Sequence, residues 1–375
     1  MFDKVIPADI IFYILLYGAA TMASLIACLY LCLRKGNAIK PDVTPPVQLR
    51  HWAVALFGVS VLGHLWWLLF YIYSVPIYSV GHVVVCLLDW VTLLITINGT
   101  LLAMLQDRKR PVWPIVVSTI PLVFFGVLHI VNPDAHHFIR IAFDFFLLSY
   151  LLFSIYMVVS VRQYGLWLRN NYSDLENKEV WQSHSLIIAF FLIIILYGVE
   201  GTSATIGGIM QASEILIFYI LLWRIETLPQ LENVSSEQTE DIEPVEDLNQ
   251  QKPQPKKPLT IPSNIEQLLD EHCVHTQLYL QHDLSLSQLA RAVGTNHSYL
   301  SQYFSQQGIN YNTYINNLRI DHFVNLYREA SAAGKSFTAQ QLANESGYRS
   351  YSTFSAAFKR RMEQTVTAWM SDTTK

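Results

Sequence analysis

Charged residues are scarce in this sequence, since they make up 14% of the 375 positions, whereas soluble globular proteins average about 25%. No Asp, Glu, Lys or Arg occurs over 10–33, 51–88, 111–133 or 145–161. About 20 apolar helical residues cross the hydrocarbon layer of a membrane, so these stretches exclude an ordinary soluble domain and indicate transmembrane helices. After Glu226 charges and amides become frequent, which indicates a second, water-soluble half.

Cysteine is also scarce, with only Cys28, Cys32, Cys86 and Cys273 in the whole chain. Their number and spacing fit neither a disulfide framework nor a zinc site. The first three lie in apolar stretches, where a thiol behaves as a small buried hydrophobe. We therefore expect no metal and no cofactor.

Seven transmembrane helices are predicted, because backbone groups in lipid must pair within a helix. These helices lie near residues 10–33, 52–73, 79–105, 112–131, 138–161, 184–200 and 208–224. Together they form a helical membrane domain over 1–226, so membrane lipid is an expected partner.

The charges of the loops orient the predicted helices. If the N-terminus is outside, eleven positive residues face the cytoplasm and only Lys4 and Arg140 face outward, which is the asymmetry that the positive-inside rule favours. The eleven are Arg34, Lys35, Lys40, Arg50, Arg108, Lys109, Arg110, Arg162, Arg169, Lys178 and Arg224. An odd number of spans then leaves the C-terminal half in the cytoplasm, so we predict a multi-pass protein of the cytoplasmic membrane.

Ionisable residues within the spans are candidates for sensing. His64, Asp89, Asp144 and Glu214 fall inside predicted helices, where a charged group costs roughly 2.5–3.5 kcal/mol on insertion scales. Such groups either fix the bundle through interhelical hydrogen bonds or form a pocket for an unknown small-molecule or membrane signal. We expect His64 and Asp89 to pair near the middle of the membrane.

A different class of protein, a metal-dependent membrane hydrolase with an accessory DNA-binding domain, is the alternative. Such enzymes gather several His and an Asp at one depth of a seven-helix bundle. Here His64, His82 and His129 are scattered over different spans, and no HExxH motif occurs. The pattern favours a protein that is not an enzyme.

The stretch 227–259 is rich in Pro, Glu and Gln, with seven acidic residues between Glu232 and Asp247. Low hydrophobicity and negative charge cannot offset chain entropy, so a disordered linker is predicted. About 32 flexible residues have a root-mean-square span on the order of 30 Å. That reach would let the following domain, 260–375, meet DNA near the membrane.

A helix-turn-helix pattern occurs twice in this last domain. Ala290 is followed by Gly294 and then by Leu300, and Ala343 is followed by Gly347, 53 residues after the first glycine. The small residue allows two helices to cross closely, and the glycine supplies a turn with positive φ. Residues 311–328 read as one long connecting helix, on which two units can enter successive major grooves about 34 Å apart.

Residues 263–370 resemble the DNA-binding domain of the AraC/XylS family of bacterial regulators. The matching residues are Leu289-Ala290, Val293-Gly294, Tyr299-Leu300-Ser301, Phe304, Gly308, Leu318-Arg319-Ile320, Leu342-Ala343, Ser346-Gly347-Tyr348, Ser352, Phe354, Phe358-Lys359 and Thr365. The resemblance implies seven helices and paired insertion into consecutive grooves. The whole chain is then all-α, a seven-transmembrane bundle joined to a cytoplasmic seven-helix domain with two helix-turn-helix units.

The domain departs from the family pattern in two ways. Glu363 and Val366 stand where the family usually has Gly and Pro, and 305–307 is Ser-Gln-Gln where basic residues are common. Residues 260–375 hold nine basic and nine acidic residues, an unusual balance for DNA binding. Weak monomer affinity is therefore expected, raised by homodimerisation or clustering in the membrane.

Hydroxyl and amide side chains near the start of each second helix are predicted to read bases in double-stranded DNA. The candidate contact residues are Ser298, Ser301 and Gln302 in the first unit and Arg349, Tyr351, Ser352, Ala356, Lys359 and Arg360 in the second. Lys359 and Arg360 are placed for phosphates, so the second unit should dominate binding. We interpret the chain as a membrane-anchored transcription regulator whose bundle senses a signal and passes it on through oligomerisation or linker proteolysis.

Overall fold

The structure, a computed structural model, describes residues 7–34, 36–76, 78–182, 184–185, 188, 203–231 and 264–373. It divides into two compact units. The first is Met1–Tyr164 with Val180–Glu232, and the second is Gly165–Glu179 with Asn233–Lys375. The described residues form helices and turns, with one isolated bridge between Tyr172 and Ser285, so the all-α prediction is confirmed.

The first unit is a bundle of long apolar helices. Their bounds are α1 Ala8–Leu33, α2 Val47–Ile72, α3 Val80–Ala103, α4 Trp113–Ser118, α5 Ile120–Val131, α6 His137–Asn171, of which the last turns belong to the second unit, and α7 Ala204–Thr227. With α4 and α5 counted together, six of these are long and apolar enough to cross a membrane. Their bounds agree with those of six of the seven predicted helices to within a few residues at most ends, whereas most of the predicted sixth helix, 184–200, lies outside the described residues.

Two helix boundaries differ from the sequence prediction. The span expected over 112–131 is interrupted at Thr119, because Pro121 has no amide hydrogen with which to continue the helical hydrogen bonds. Helix α6 continues ten residues past the predicted end at 161, to Asn171. Uncharged composition marks the part of a helix in lipid, so it does not mark the polar turns that extend beyond it.

Neighbouring helices of the bundle pack through small and apolar side chains. Helix α1 lies against α2 and α7, and α2 lies against α3. Large apolar side chains such as Phe12, Leu15 and Ile155 remain exposed on the outside of the unit. In water these surfaces would be unfavourable, whereas in lipid they are solvated by acyl chains.

Residues just after α7 are fixed to the first unit. The amide of Gln230 donates to the carbonyl oxygen of Thr44 at 2.8 Å. The side chain of Gln106 donates to the carbonyl oxygen of Pro229 at 3.0 Å and accepts from the amide of Leu231 at 2.8 Å. The first residues of the stretch predicted to be disordered, up to Leu231, are therefore ordered. Residues 232–263 lie outside the described residues.

The second unit contains the seven predicted helices among its described residues. Their bounds are α8 Ile265–Leu269, α9 Leu286–Val293, α10 His297–Gln306, α11 Tyr311–Ala332, α12 Ala339–Glu345, α13 Tyr351–Met362 and α14 Val366–Thr373. A π-helical turn, Asp270–His275, continues α8, and a 3-10 turn, Leu278–Leu280, follows it. Helix α11 runs between the two predicted helix-turn-helix units, as its sequence pattern indicated.

Each helix-turn-helix unit has its own apolar core. Leu289, Leu300 and Phe304 are buried in the first core, and Phe354 and Phe358 are completely buried in the second. The first turns of α11 contribute Ile315 to the first core, and its middle contributes Phe323 to the second. The connecting helix α11 thus belongs to both cores and joins the two units.

Candidate nucleic-acid interface and intramembrane cluster

The turns of both units have the backbone geometry that their glycines predict. Gly294 ends α9 with φ +72°, and Gly347 follows α12 with φ +87°. A Cβ on Gly347 would lie 2.7 Å from the carbonyl oxygen of Leu280. Only glycine therefore fits the second turn, on grounds of both conformation and space.

The second helix of each unit begins with a side-chain cap. Asn296 accepts a hydrogen bond from the amide of Tyr299, and Ser350 accepts one from the amide of Thr353. These caps satisfy free amides at the helix start and fix where each helix begins. They set the first turns of α10 and α13, which in helix-turn-helix proteins meet the base edges.

The predicted base-reading positions of the first unit lie on α10. Ser298, Ser301 and Gln302 are all half-buried, while Leu300 and Phe304 between and beyond them point into the core. Helix α10 carries no Lys or Arg. Its chemistry is that of hydroxyls and amides, which can recognise bases but contribute little to phosphate attraction.

The predicted positions of the second unit lie on and just before α13. Ser352 and Ala356 are exposed, whereas Tyr351 is half-buried, with its ring centroid 5.8 Å from that of Phe354. Lys359 and Arg360 are exposed at the last turn of the helix.

Two neighbouring arginines already have acidic partners. Arg349 pairs with Asp283 at 2.7 Å, and Arg361 pairs with Asp321 at 2.7 Å. Of the basic cluster at the end of α13, Lys359 and Arg360 remain the residues predicted to contact phosphates.

Residues 165–179, which we name the cytoplasmic segment after the side of the membrane predicted for them from the sequence, pack into the second unit against the helix-turn-helix domain. The amide of Ser173 donates to the carbonyl oxygen of Leu284 at 3.1 Å. The side-chain amide of Asn312, on the first turn of α11, donates to the carbonyl oxygens of Ser173 and Tyr172 at 2.7 and 3.2 Å. Tyr172, Ser173 and Asn312 are all buried by these contacts.

Arg319, further along α11, adds to the polar contacts that Asn312 makes with the cytoplasmic segment. Its guanidinium is almost completely buried and donates to the carbonyl oxygens of Tyr279 and Gln281, both at 2.7 Å. It also lies 3.4 Å from the hydroxyl of Ser173 and 5.5 Å from the ring of Tyr348. One side chain thus joins the end of the first core, the turn of the second unit and the cytoplasmic segment.

The cytoplasmic segment touches the start of both second helices. Nε2 of His297, the first residue of α10, donates to the side-chain oxygen of Asn171 at 2.6 Å. Burial lowers the pKa of the His297 imidazole, so the neutral form is favoured in this contact. On α13, the hydroxyl of Thr353 donates to a carboxylate oxygen of Glu176 at 3.3 Å.

A shared ion pair completes this contact surface. Nζ of Lys178 lies 3.0 Å from the Oδ1 atom of Asp283, whose other oxygen holds Arg349. Burial also raises the pKa of the nearby Asp174 carboxyl. Lys178 and Asp174 are buried although both are ionisable, which is uncommon unless such groups are paired.

Sequence reasoning missed this surface. One signal was present, because Asn312, Asn316 and Arg319 recur at helical spacing on one face of a helix whose other buried residues are apolar. Polar groups on a buried face need partners. Their partners, however, are up to 146 residues away in the chain, and no local pattern identifies them.

The first unit contains a separate polar cluster around His64. Nε2 of His64 contacts Oε1 of Gln211 at 2.9 Å and lies 3.7 Å from Glu214, and both partners belong to α7. The hydroxyl of Ser60 donates to Glu214 at 2.6 Å, and the ring of Tyr17 lies 4.7 Å from the imidazole. Helices α1, α2 and α7 are thus joined by polar contacts inside an apolar bundle.

The other predicted sensor residues have different surroundings. Asp89 accepts hydrogen bonds from the indole nitrogens of Trp66, at 3.2 Å, and Trp67, so its hydrogen-bond partners are not the expected His64. It lies over Gly63, where a Cβ would come within 3.2 Å of its Oδ1 atom. Asp144 is exposed among the described residues and does not join the His64 cluster.

The histidines considered for metal binding are dispersed. The ring of His82 packs against Trp67, with 5.4 Å between centroids, and Nδ1 of His129 lies 3.2 Å from the carbonyl oxygen of Ala135. Within the part of the chain that the structure describes, no group of three or more His, Cys, Asp or Glu side chains could hold a metal ion.

Comparison with known proteins concerns the C-terminal domain. Residues 289–372 match a family model described as a helix-turn-helix domain. Uncharacterized HTH-type transcriptional regulators of Staphylococcus aureus strains COL and N315 are 29% identical over 105 residues, which are 28% of this chain and 13% of each relative. No significant match to a solved structure was found. These matches confirm the resemblance of this domain to AraC-type helix-turn-helix regulators.

Proposed function

We propose that this chain is a bacterial transcription regulator held in the cytoplasmic membrane, which binds double-stranded promoter DNA through its two helix-turn-helix units. The observation that carries the proposal is the pair of capped units on one connecting helix, α11, in the domain that matches the family model. Such a pair can enter consecutive major grooves on one face of DNA. The family resemblance and the names of the relatives support a regulatory role rather than catalysis.

The contact residues proposed for DNA divide by chemistry. Ser298, Ser301 and Gln302 of α10 supply hydroxyls and an amide for base edges. On and before α13, the corresponding set is Arg349, Tyr351, Ser352 and Ala356. Lys359 and Arg360 supply phosphate attraction, and since the first unit has no Lys or Arg on α10, the second unit dominates binding.

The membrane half is proposed to hold the regulator at the cytoplasmic face of the membrane. Six apolar helices support a multi-pass membrane protein, and the excess of positive loop residues supports an N-terminus outside and a DNA-binding domain in the cytoplasm. A reporter active only in the cytoplasm, fused after residue 226, should be active. A silent reporter would place the domain on the wrong side of the membrane and contradict the proposal.

The His64 cluster is proposed to sense the signal. Buried polar contacts join α1, α2 and α7 there, and intramembrane ionisable groups are characteristic of ligand and proton sites. Asp89, held by two indoles on α2, is proposed as a second sensing residue. Asp89→Asn should alter regulation while protein level and insertion stay the same; normal regulation across signal conditions would leave Asp89 a structural residue.

The decisive experiment maps the DNA bound by the intact protein in cells. The intact chain should enrich discrete promoter regions, and a version lacking residues 1–226 should enrich the same regions with altered response to growth conditions. A matched control is the intact chain with Gln302→Ala and Ser352→Ala, which changes two proposed base-reading residues. Enrichment that is unchanged in this control would contradict sequence-specific binding by these units.

A further inference from the structure

The cytoplasmic segment directly follows one membrane span and carries three acidic residues, Asp174, Glu176 and Glu179. It is joined to the helix-turn-helix domain by backbone and side-chain hydrogen bonds. We propose that this segment occupies the DNA-facing cleft between the two helix-turn-helix units and competes with DNA, so that release of the segment switches DNA binding on. The proposal rests on the proposed function, because it presumes that the domain binds DNA.

The positions of the contacts support competition. The segment meets His297 and Thr353, the first and third residues of α10 and α13, and these first turns are the parts of a recognition helix that approach the bases. A duplex that inserts both helices must come close to the same two residues. DNA and the segment therefore require overlapping space at both units.

The charges of the segment support the same conclusion. Glu176 places a carboxylate beside Thr353, close to where a phosphate would approach the start of α13. Arg349, one of the proposed DNA contacts, is held by Asp283, which the segment engages through Lys178. With the segment in place, acidic groups stand where a nucleic-acid backbone would, and the domain presents a less attractive surface to DNA.

The chain connection gives the bundle a direct route to the DNA-binding domain. Residues 165–171 are the final turns of α6, which begins at His137 within the first unit. A change in the spans can therefore act on the segment through a continuous helix. This route is an addition to the oligomerisation or linker proteolysis that the sequence suggests.

Asn312→Asp is the sharpest variant for a test in the full-length protein. The new carboxylate faces two carbonyl oxygens of the segment, at positions where the native amide donates, so docking is disfavoured. Position 312 is in the first turn of α11, where a negative charge favours the helix, so the domain stays folded. Asn317→Asp, on the same helix, is the matched control for the charge.

A second pair of variants changes only the segment. Lys178→Glu replaces the contact with Asp283 by repulsion, and Arg169→Glu makes the same charge reversal at an exposed position of the segment. All four variants make the protein more negative, which by itself weakens DNA binding. A gain in affinity is therefore opposite to the effect that added charge alone would produce.

The measurements are amide hydrogen exchange over 171–179 and affinity for a pool of random-sequence duplexes at low salt, both with full-length protein in lipid nanodiscs. Asn312→Asp and Lys178→Glu should speed exchange at Ser173, and should bind the duplexes about fivefold or more tightly than their controls, the lower end of ordinary coupling between sites. Faster exchange without a gain in affinity would overturn competition. Unchanged exchange in both variants would overturn docking through these contacts.

The same measurements separate this proposal from the proposed function. If neither the wild-type protein nor any variant binds duplex DNA, the regulator function fails and competition fails with it. In that case the exchange data would still report whether the segment docks. A gain in affinity shared equally by the control variants would also overturn the proposal, because it would not depend on the segment.

Discussion

The first helix-turn-helix unit turns at Gly294, where a Cβ would meet open space, whereas the second turns at Gly347, directly against the backbone of Leu280. The second helices of the two units differ in charge and in their contacts. Helix α10 has no Lys or Arg, and its half-buried His297 is hydrogen-bonded to the cytoplasmic segment, while α13 ends in exposed Lys359 and Arg360. The two units thus share one architecture but differ in the charge of their second helices and in the space around their turns.

The largest expected effect tests the two turns. Gly347→Ala should destabilise the domain by about 3 kcal/mol or more, because a positive φ and a backbone clash add together. Gly294→Ala should cost only about 1 kcal/mol, since its turn lacks the clash. The slowest-exchanging amides of α13 and α10 in the full-length protein report these losses; equal losses would remove the proposed difference between the turns.

The next effect tests the division between affinity and base reading. Gln302→Ala should cost roughly 1–3 kcal/mol of binding free energy, and only on duplexes that carry its base. Lys359→Ala should weaken binding to all sequences alike and lower the salt slope by about one unit. Titrations of cognate and scrambled duplexes over a salt series measure both effects.

Gln306→Ala is the control in the first unit for Lys359→Ala. It removes a side chain from the last turn of α10 without removing a charge, so the salt slope should not change. A salt slope that fell equally in both variants would contradict the assignment of phosphate contacts to α13.

The smallest effect concerns how the two helices end. Gly308, with φ +68°, follows α10, whereas Glu363 has φ +59° after α13. Glu363→Gly should stabilise the second unit by about 0.5–1 kcal/mol, because relief of left-handed strain exceeds the entropy that glycine costs. A shift of the thermal unfolding midpoint to higher temperature checks it, and Gly308→Ala should shift the midpoint the other way.

Much of the architecture could be predicted because its causes are local. Uncharged stretches identify spans since lipid excludes charge, and a small residue followed by Gly294 or Gly347 identifies a tight turn between helices. Glu363 was recognised as a departure from the family, and the structure gives it the backbone conformation that glycine usually adopts. Local composition and the conformational preferences of single residues were sufficient to predict these features from the sequence.

The contacts that join distant parts could not be predicted. His64 and Asp89 were expected to pair from their depth alone, but depth does not specify which faces of α2 and α3 meet, and the structure gives them Gln211 and the Trp66 and Trp67 indoles instead. The cytoplasmic segment was counted only as a positive loop. Its contacts depend on tertiary placement, which a single sequence does not encode in any short pattern.

The polar nature of the surface on α11 affects how the domain behaves when that surface is exposed to water. Asn312, Asn316 and Arg319 would be hydrated at once if the cytoplasmic segment left them, since amides and a guanidinium are well solvated by water. An apolar surface exposed in the same way would attract other hydrophobic surfaces and favour aggregation. If the cytoplasmic segment is released and docks again, as proposed, this surface does not expose apolar side chains that would favour aggregation or chaperone binding.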